Sequence, residues 1–146
     1  MKERKKSWNE KCKLVHESFL RIRVKDDHKF AKTFYDNLFF LNKDLKNYFK
    51  NTDFVHQEKA LMHGLTFLTE YTSESSENAR SQVKRLAYVH NKDNLNIHPH
   101  LYYYWVEALI ITVKKEDNLW HDDLEYYWRE VIFMPVSFFI SQYFLS

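Results

Sequence analysis

The sequence predicts an all-α fold, on three observations. First, its 146 residues hold one glycine, Gly64, and two prolines, Pro99 and Pro135, so the turns that a sheet of hairpins needs again and again are missing. Second, apolar residues make up 45% and aromatics 18% of the chain, enough for one core and far from the composition of a disordered tail. Third, the apolar positions recur at i, i+3, i+4 and i+7, the spacing of amphipathic helices. The length sets a single domain over residues 1–146.

Helices are expected near 7–22, 26–41, 43–50, 54–73, 76–91, 99–115 and 121–143. Residues 1–6 carry the basic run Lys2–Lys6 and read as a frayed, solvated tail. In the second helix Ala31, Phe34, Tyr35, Leu38 and Phe39 share one stripe. In the fourth, Leu61, Leu65 and Leu68 form another, with Gln57 one turn ahead of Leu61. Thr72-Ser73 and Ser75-Ser76 mark a break. Val83, Leu86, Ala87 and His90 make a third stripe, and Asn91-Lys92-Asp93-Asn94 is a polar stop immediately after it. Pro99 suits the first turn of the next helix, where a missing donor costs nothing. Val131–Ile140 is strongly apolar but too short to span a bilayer and interrupted by Pro135, so it reads as a buried terminal helix.

Several function classes fall away. One glycine excludes the Gly-rich loops that cradle nucleotide phosphates. A net charge of +2, with no basic face interleaved with aromatics, argues against nucleic acid. The lone cysteine, Cys12, allows no intrachain disulfide, fits a reducing compartment and has no activating histidine. Ser7–Lys13 is polar where a secretory signal would be apolar. A cytoplasmic protein without a membrane span is the expectation.

His90 is the centre of the chemistry. As an ordinary core histidine it would find hydrogen bonds for both nitrogens. A neutral imidazole in an apolar wall, with neither a nucleophile nor a zinc-ligand set beside it, also suits the proximal side of a haem iron. In that role Nε2 takes the metal, and Nδ1–H donates to a carbonyl one turn back, near Leu86, which fixes the tautomer. His98 and His100 flank Pro99 at a metal-pair spacing, but without carboxylate or thiolate neighbours they read as loop residues or haem-propionate contacts. His56 and His63, seven apart on one face, are expected to point to solvent.

From Lys25 to Tyr143 the chain resembles the globin family, most closely the single-domain bacterial globins and the globin half of flavohaemoglobins. Thr33-Phe34-Tyr35-Asp36-Asn37-Leu38-Phe39 is similar to the family's second helix, whose tyrosine points at the gas ligand. Phe49 matches the aromatic that wedges against the haem ring. Gln57 and Leu61 match the distal polar residue and the apolar residue one turn later. His90 matches the proximal ligand, Ile97, Pro99 and Tyr102 the corner and helix start after it, and Trp128 a tryptophan early in the last helix. The resemblance implies a globin fold and one haem b held by Tyr35, Phe49, Gln57, Leu61, His90, Ile97 and Tyr102. It also implies reversible binding of dioxygen and other diatomic gases (NO, CO) for binding, storage or sensing. The alternative is a nitric oxide dioxygenase served by an external reductase.

The departures are specific. Lys43 replaces the proline that starts the family's short third helix. Only eight positions separate Phe49 from Gln57, so the connection is short; a slight rotation of the distal helix would then bring His56 to the iron as an alternative sixth ligand. Tyr143 aligns with the glutamate that joins proximal histidine and tyrosine in a flavohaemoglobin relay, which leaves Tyr102 without an acidic partner; Glu130 lies at another register. The last two helices are a candidate homodimer face, with Phe138, Phe139 and Phe144 as contacts.

Overall fold

The computed structural model describes residues 5–71 and 77–145. The four residues before this and the expected break at 72–76 lie outside the described residues. The elements are helix α1 (Trp8–Leu41), a 3-10 helix (Lys43–Phe49), α2 (Phe54–Glu70), α3 (Glu77–His90), α4 (Leu101–Glu116) and α5 (Asp122–Gln142), and no strand occurs among the described residues.

Each boundary has a local cause. Ser7 opens α1 by accepting from the Glu10 N–H at 3.2 Å, a side-chain cap that satisfies one orphan donor of the first turn. The two helices expected at 7–22 and 26–41 form one element with a kink, because Asp26 takes an extended conformation (φ −175°, ψ 100°) and its carboxylate caps the second half through the Lys29 N–H at 3.0 Å. Asn42 (φ −150°) ends α1 and caps the 3-10 helix through the Asp44 N–H at 3.0 Å. The asparagine cap starts the 3-10 helix, and Lys43 is its first residue. Asp53 caps α2 through the Val55 N–H at 3.0 Å.

The expected start of the helix after His90 is adjusted, and the expected last helix is found. Pro99 lies in a turn leading into α4, which begins at Leu101. Its carbonyl accepts from the Tyr102 N–H at 3.2 Å, so the proline prepares the helix rather than sitting inside it. Pro135 does not break the last helix: α5 runs through it from Asp122 to Gln142. The ring forfeits one backbone bond, but Val131, Ile132, Pro135 and Phe139 are buried together, and that packing holds the helix. No helix of the described residues is long and apolar enough to cross a membrane.

α1 packs on α2, α4 and α5, α2 on α3, and α5 closes against α2, α3 and α4. At one end of the core a polar knot ties three elements. The fully buried Trp128 indole donates to Ser18 Oγ at 3.0 Å, and Ser18 donates to Asp117 Oδ2 at 2.6 Å. Arg21 grips both oxygens of Asp117 at 2.7 and 2.8 Å. Burial pushes the Asp117 carboxyl up, but the Arg21, Ser18 and Leu119 donors outweigh it and hold the pKa below 3.8. The knot fixes α1 against α5 and leaves the other end of the core free to open into a cavity.

Candidate functional site

That cavity lies among α1, the 3-10 helix, α2, α3, the corner after α3, α4 and α5. Leu38, Leu45, Leu61, Leu65, Leu68, Leu86, Ile97, Leu101, Trp105, Val136 and Phe139 give it apolar walls. Among the described residues its polar side chains are Tyr35, Tyr48, Gln57, His90, Tyr102 and the Trp105 indole. The α2 stripe of Leu61, Leu65 and Leu68 meets the α3 stripe of Leu86 and His90 across it, because both helices show the cavity one face at helical spacing.

On the α3 side, His90 ends its helix with Nδ1 2.6 Å from the Leu86 carbonyl. A carbonyl only accepts, so Nδ1 carries the proton and Nε2 keeps a lone pair. Burial lowers the His90 pKa below its ordinary 6.5, against a smaller rise from the Leu86 bond, so the ring is neutral at physiological pH. The imidazole packs on Phe139 (centroids 5.3 Å), and Phe139 meets Tyr102 edge-on at 5.8 Å.

Phe139, one turn before Tyr143, is thus the α5 side chain in contact with both His90 and Tyr102. Tyr143 turns instead to the corner, where its hydroxyl donates to Asn96 Oδ1 at 2.5 Å and lies 3.2 Å from His98 Nδ1. No carboxylate reaches His90 among its described partners. Phe139 is 8% exposed, so it belongs to the cavity wall and is withdrawn from the candidate dimer face. Burial also raises the Tyr102 pKa above 10, which keeps that phenol protonated.

On the α2 side, Gln57 Nε2 donates to Tyr35 Oη at 2.9 Å. The phenol oxygen is thus an acceptor, and no acceptor for its own proton is found among the described residues. Burial raises the Tyr35 pKa to about 12, against a smaller lowering by Gln57. The proton stays on, and the side chain borders a cavity with mainly apolar walls. Tyr35 is also ringed by Phe34, Phe39, Phe49 and Phe54 at centroid distances of 5.1, 6.0, 5.5 and 5.7 Å.

The seven residues singled out in the sequence, Tyr35, Phe49, Gln57, Leu61, His90, Ile97 and Tyr102, all line this one cavity. His56 does not. It is exposed on α2, because one residue along a helix is a turn of about 100° and the cavity-facing position goes to Gln57. His63 is exposed as well and packs edge-on against Phe67 at 4.8 Å. Sequence reasoning did not single out Phe54, gave the Tyr102–Trp105 run to core or interface rather than the cavity, and put Phe139 on a dimer face instead of the cavity wall. Gly64 also went unassigned: a Cβ there would meet only Leu86 Cδ1, at 3.9 Å, so its bare face opens on the cavity.

A helical sandwich of this topology around such a cavity is the globin fold. A solved structure from Pseudomonas aeruginosa PAO1, described as structurally highly homologous to a human hemoglobin, superimposes on the chain with a TM-score of 0.82. It shares 24% sequence identity and covers 91% of this chain and 98% of that one. No family model and no curated protein matches the sequence. The likeness is one of fold.

Proposed function

We propose that the chain is a haem-binding globin that holds one haem b in the cavity and takes up dioxygen and other diatomic gases, NO and CO, for binding, storage or sensing. One observation carries the reading: an imidazole with a free Nε2 lone pair faces, across an apolar gap, a phenol with an uncommitted proton. The residues fit the group. The lining is apolar enough for a porphyrin, and Gly64 leaves room where a side chain would intrude. Cys12, the lone cysteine, is buried in α1 and outside the lining, which supports a non-covalent b-type haem.

When bound, the haem iron supplies reversible coordination of the gas. The chain supplies the rest. His90 offers Nε2, and the Leu86 carbonyl fixes the tautomer and ring plane, a second-shell role that tunes ligand basicity. Tyr35 presents its proton toward the gas side. Gln57 orients the phenol by donating to its oxygen. Phe49 and Leu61 on one side and Ile97 and Tyr102 on the other border the space and exclude water.

Binding is favoured over turnover as a nitric oxide dioxygenase with an external reductase. Phe139, an apolar ring, occupies the place beside His90 where a carboxylate would push charge onto the imidazole. A cytoplasmic setting fits a chain with a single, buried cysteine and so no intrachain disulfide. Homodimerisation through α4 and α5 is part of the proposal, with Phe133 and Ile140 exposed on α5 and Phe144 exposed just after it; a monomeric sedimentation profile at micromolar concentration would reject that part. The test of the whole is reconstitution with hemin followed by absorption spectra in the ferric, ferrous and carbonmonoxy states. A Soret band that shifts on reduction and with carbon monoxide is expected. Colourless protein after reconstitution would sink the reading.

A further inference from the structure

Phe54 opens α2 and is 38% exposed as a residue, an unfavourable place for a large apolar side chain. Its neighbours explain it. The rings of Tyr35, Phe39, Phe49 and Phe54 are in contact in every pairing: Tyr35 meets the other three at 6.0, 5.5 and 5.7 Å. Phe39 meets Phe49 and Phe54 at 5.4 and 6.2 Å, and Phe49 meets Phe54 at 6.1 Å. Tyr35 and Phe49 border the cavity, whereas Phe39 and Phe54 stand outside its lining.

The tight link between the 3-10 helix and α2 makes this closed set. Residues 50–53 alone connect Phe49 to Phe54. The link is pinned by the Thr52 N–H to the Phe49 carbonyl at 3.1 Å, by the Gln57 N–H to the Asp53 carbonyl at 2.9 Å, and by the Asp53 cap. Phe54 thus sits one turn before Gln57 on the same rigid helix start. One element grips the Tyr35 phenol twice, at its ring through Phe54 and at its oxygen through Gln57.

We infer that Phe54 is a positioning residue for Tyr35: its ring backs the phenol from the solvent side and holds the hydroxyl on the gas side of the cavity. The inference rests on the haem reading above. A packing role alone would change stability without touching Tyr35's action on the gas. Positioning makes the effect of Phe54 depend on the Tyr35 hydroxyl.

The experiment compares hemin-loaded wild type, Phe54→Ala, Tyr35→Phe and the double variant by stopped-flow dioxygen release, with Phe54→Leu as the conservative control. Phe54→Ala is expected to speed release about 3- to 10-fold, the scale of one weakened hydrogen bond. In the Tyr35→Phe background it should change nothing further, and Phe54→Leu should restore most of the wild-type rate. Equal acceleration in both backgrounds would overturn the inference. A second arm needs no hemin: nitration of Tyr35 by tetranitromethane, read by peptide mass, should rise in Phe54→Ala and not in Phe54→Leu. A wild type that takes up no hemin sinks the haem reading, whereas nitration of Tyr35 that ignores Phe54 sinks this inference.

Discussion

The two polar walls of the cavity are built from the same materials and end in opposite states. Both set one neutral hydrogen-bonding side chain among aromatic and aliphatic groups. On the α3 wall the His90 proton is committed to the Leu86 carbonyl, which leaves an electron pair facing inward. On the opposite wall, where α1 and α2 meet, the Tyr35 oxygen accepts from the Gln57 amide, which leaves the phenol proton at the cavity without an acceptor among the described residues. Burial keeps both groups uncharged, lowering the pKa of His90 and raising that of Tyr35 to about 12. The lesson is that one neighbour per side chain decides which half of an amphoteric group a cavity is offered. A cavity with an electron pair on one side and a proton on the other is suited to a metal and to a ligand that becomes electron-rich when that metal holds it.

The comparison breaks most severely at His90. His90→Ala removes the Nε2 lone pair from the α3 wall, and hemin should no longer survive gel filtration with the protein. Retention of an unchanged Soret band would move the ligand elsewhere and end the assignment. Next in size, Tyr35→Phe keeps the ring set and deletes the inward proton. A hydrogen bond to a charged partner is worth about 1.5–3 kcal/mol, so dioxygen release should accelerate roughly 10- to 100-fold. An unaltered off-rate would remove Tyr35 from the mechanism. Gln57→Leu should act in the same direction but less, because Gln57 works on the phenol oxygen.

Acid tests the α3 wall in isolation. The folded-state pKa of His90 lies below 6.5 because burial disfavours the imidazolium. As pH falls below 6.5 the unfolded chain takes up a proton that the folded chain refuses, so this group's contribution to stability is full above that pH. It is then lost progressively down to the lowered folded value. Hemin uptake by the apoprotein should likewise stay flat through neutrality and decline only below 6.5, where Nε2 begins to be protonated. An inflection above 6.5 would reveal an anionic group stabilising the imidazolium, which the Phe139 contact speaks against.

How far the sequence carried these walls depends on local signals. The caps at Asn42 and Asp53 and the polar stop at Asn91 are short-range events, so element order and most boundaries were legible. His90, Tyr35 and Gln57 each sit on a stripe of clear helical period, which placed them on cavity-facing sides. The last helix was harder. Its end is apolar on more than one face, with Phe138, Phe139, Tyr143 and Phe144 in close succession, so periodicity could not choose between registers one turn apart, and Tyr143 was expected where Phe139 stands. Phe54 was hidden for another reason: its contacts come from α1 and the 3-10 helix, and no local pattern announces a ring set closed across three elements. The Ser18–Arg21–Asp117–Trp128 knot joins residues 96 to 110 positions apart and was equally invisible, although a buried indole N–H always asks for a partner.

The smallest effect concerns Gly64, and its sign is the informative part. Glycine inside a helix is destabilising by roughly 1 kcal/mol against alanine, and the added methyl would meet nothing closer than Leu86 Cδ1 at 3.9 Å. Gly64→Ala should therefore stabilise the apoprotein, by about 0.5–1 kcal/mol in a denaturant titration. The same methyl projects from the α2 wall into the space assigned to the porphyrin, so hemin transfer to a scavenger protein should become faster. Opposite signs in the two measurements mark the glycine as clearance for a flat, bulky occupant. If stability and hemin retention rise together, the bare face of Gly64 owes nothing to what the cavity holds.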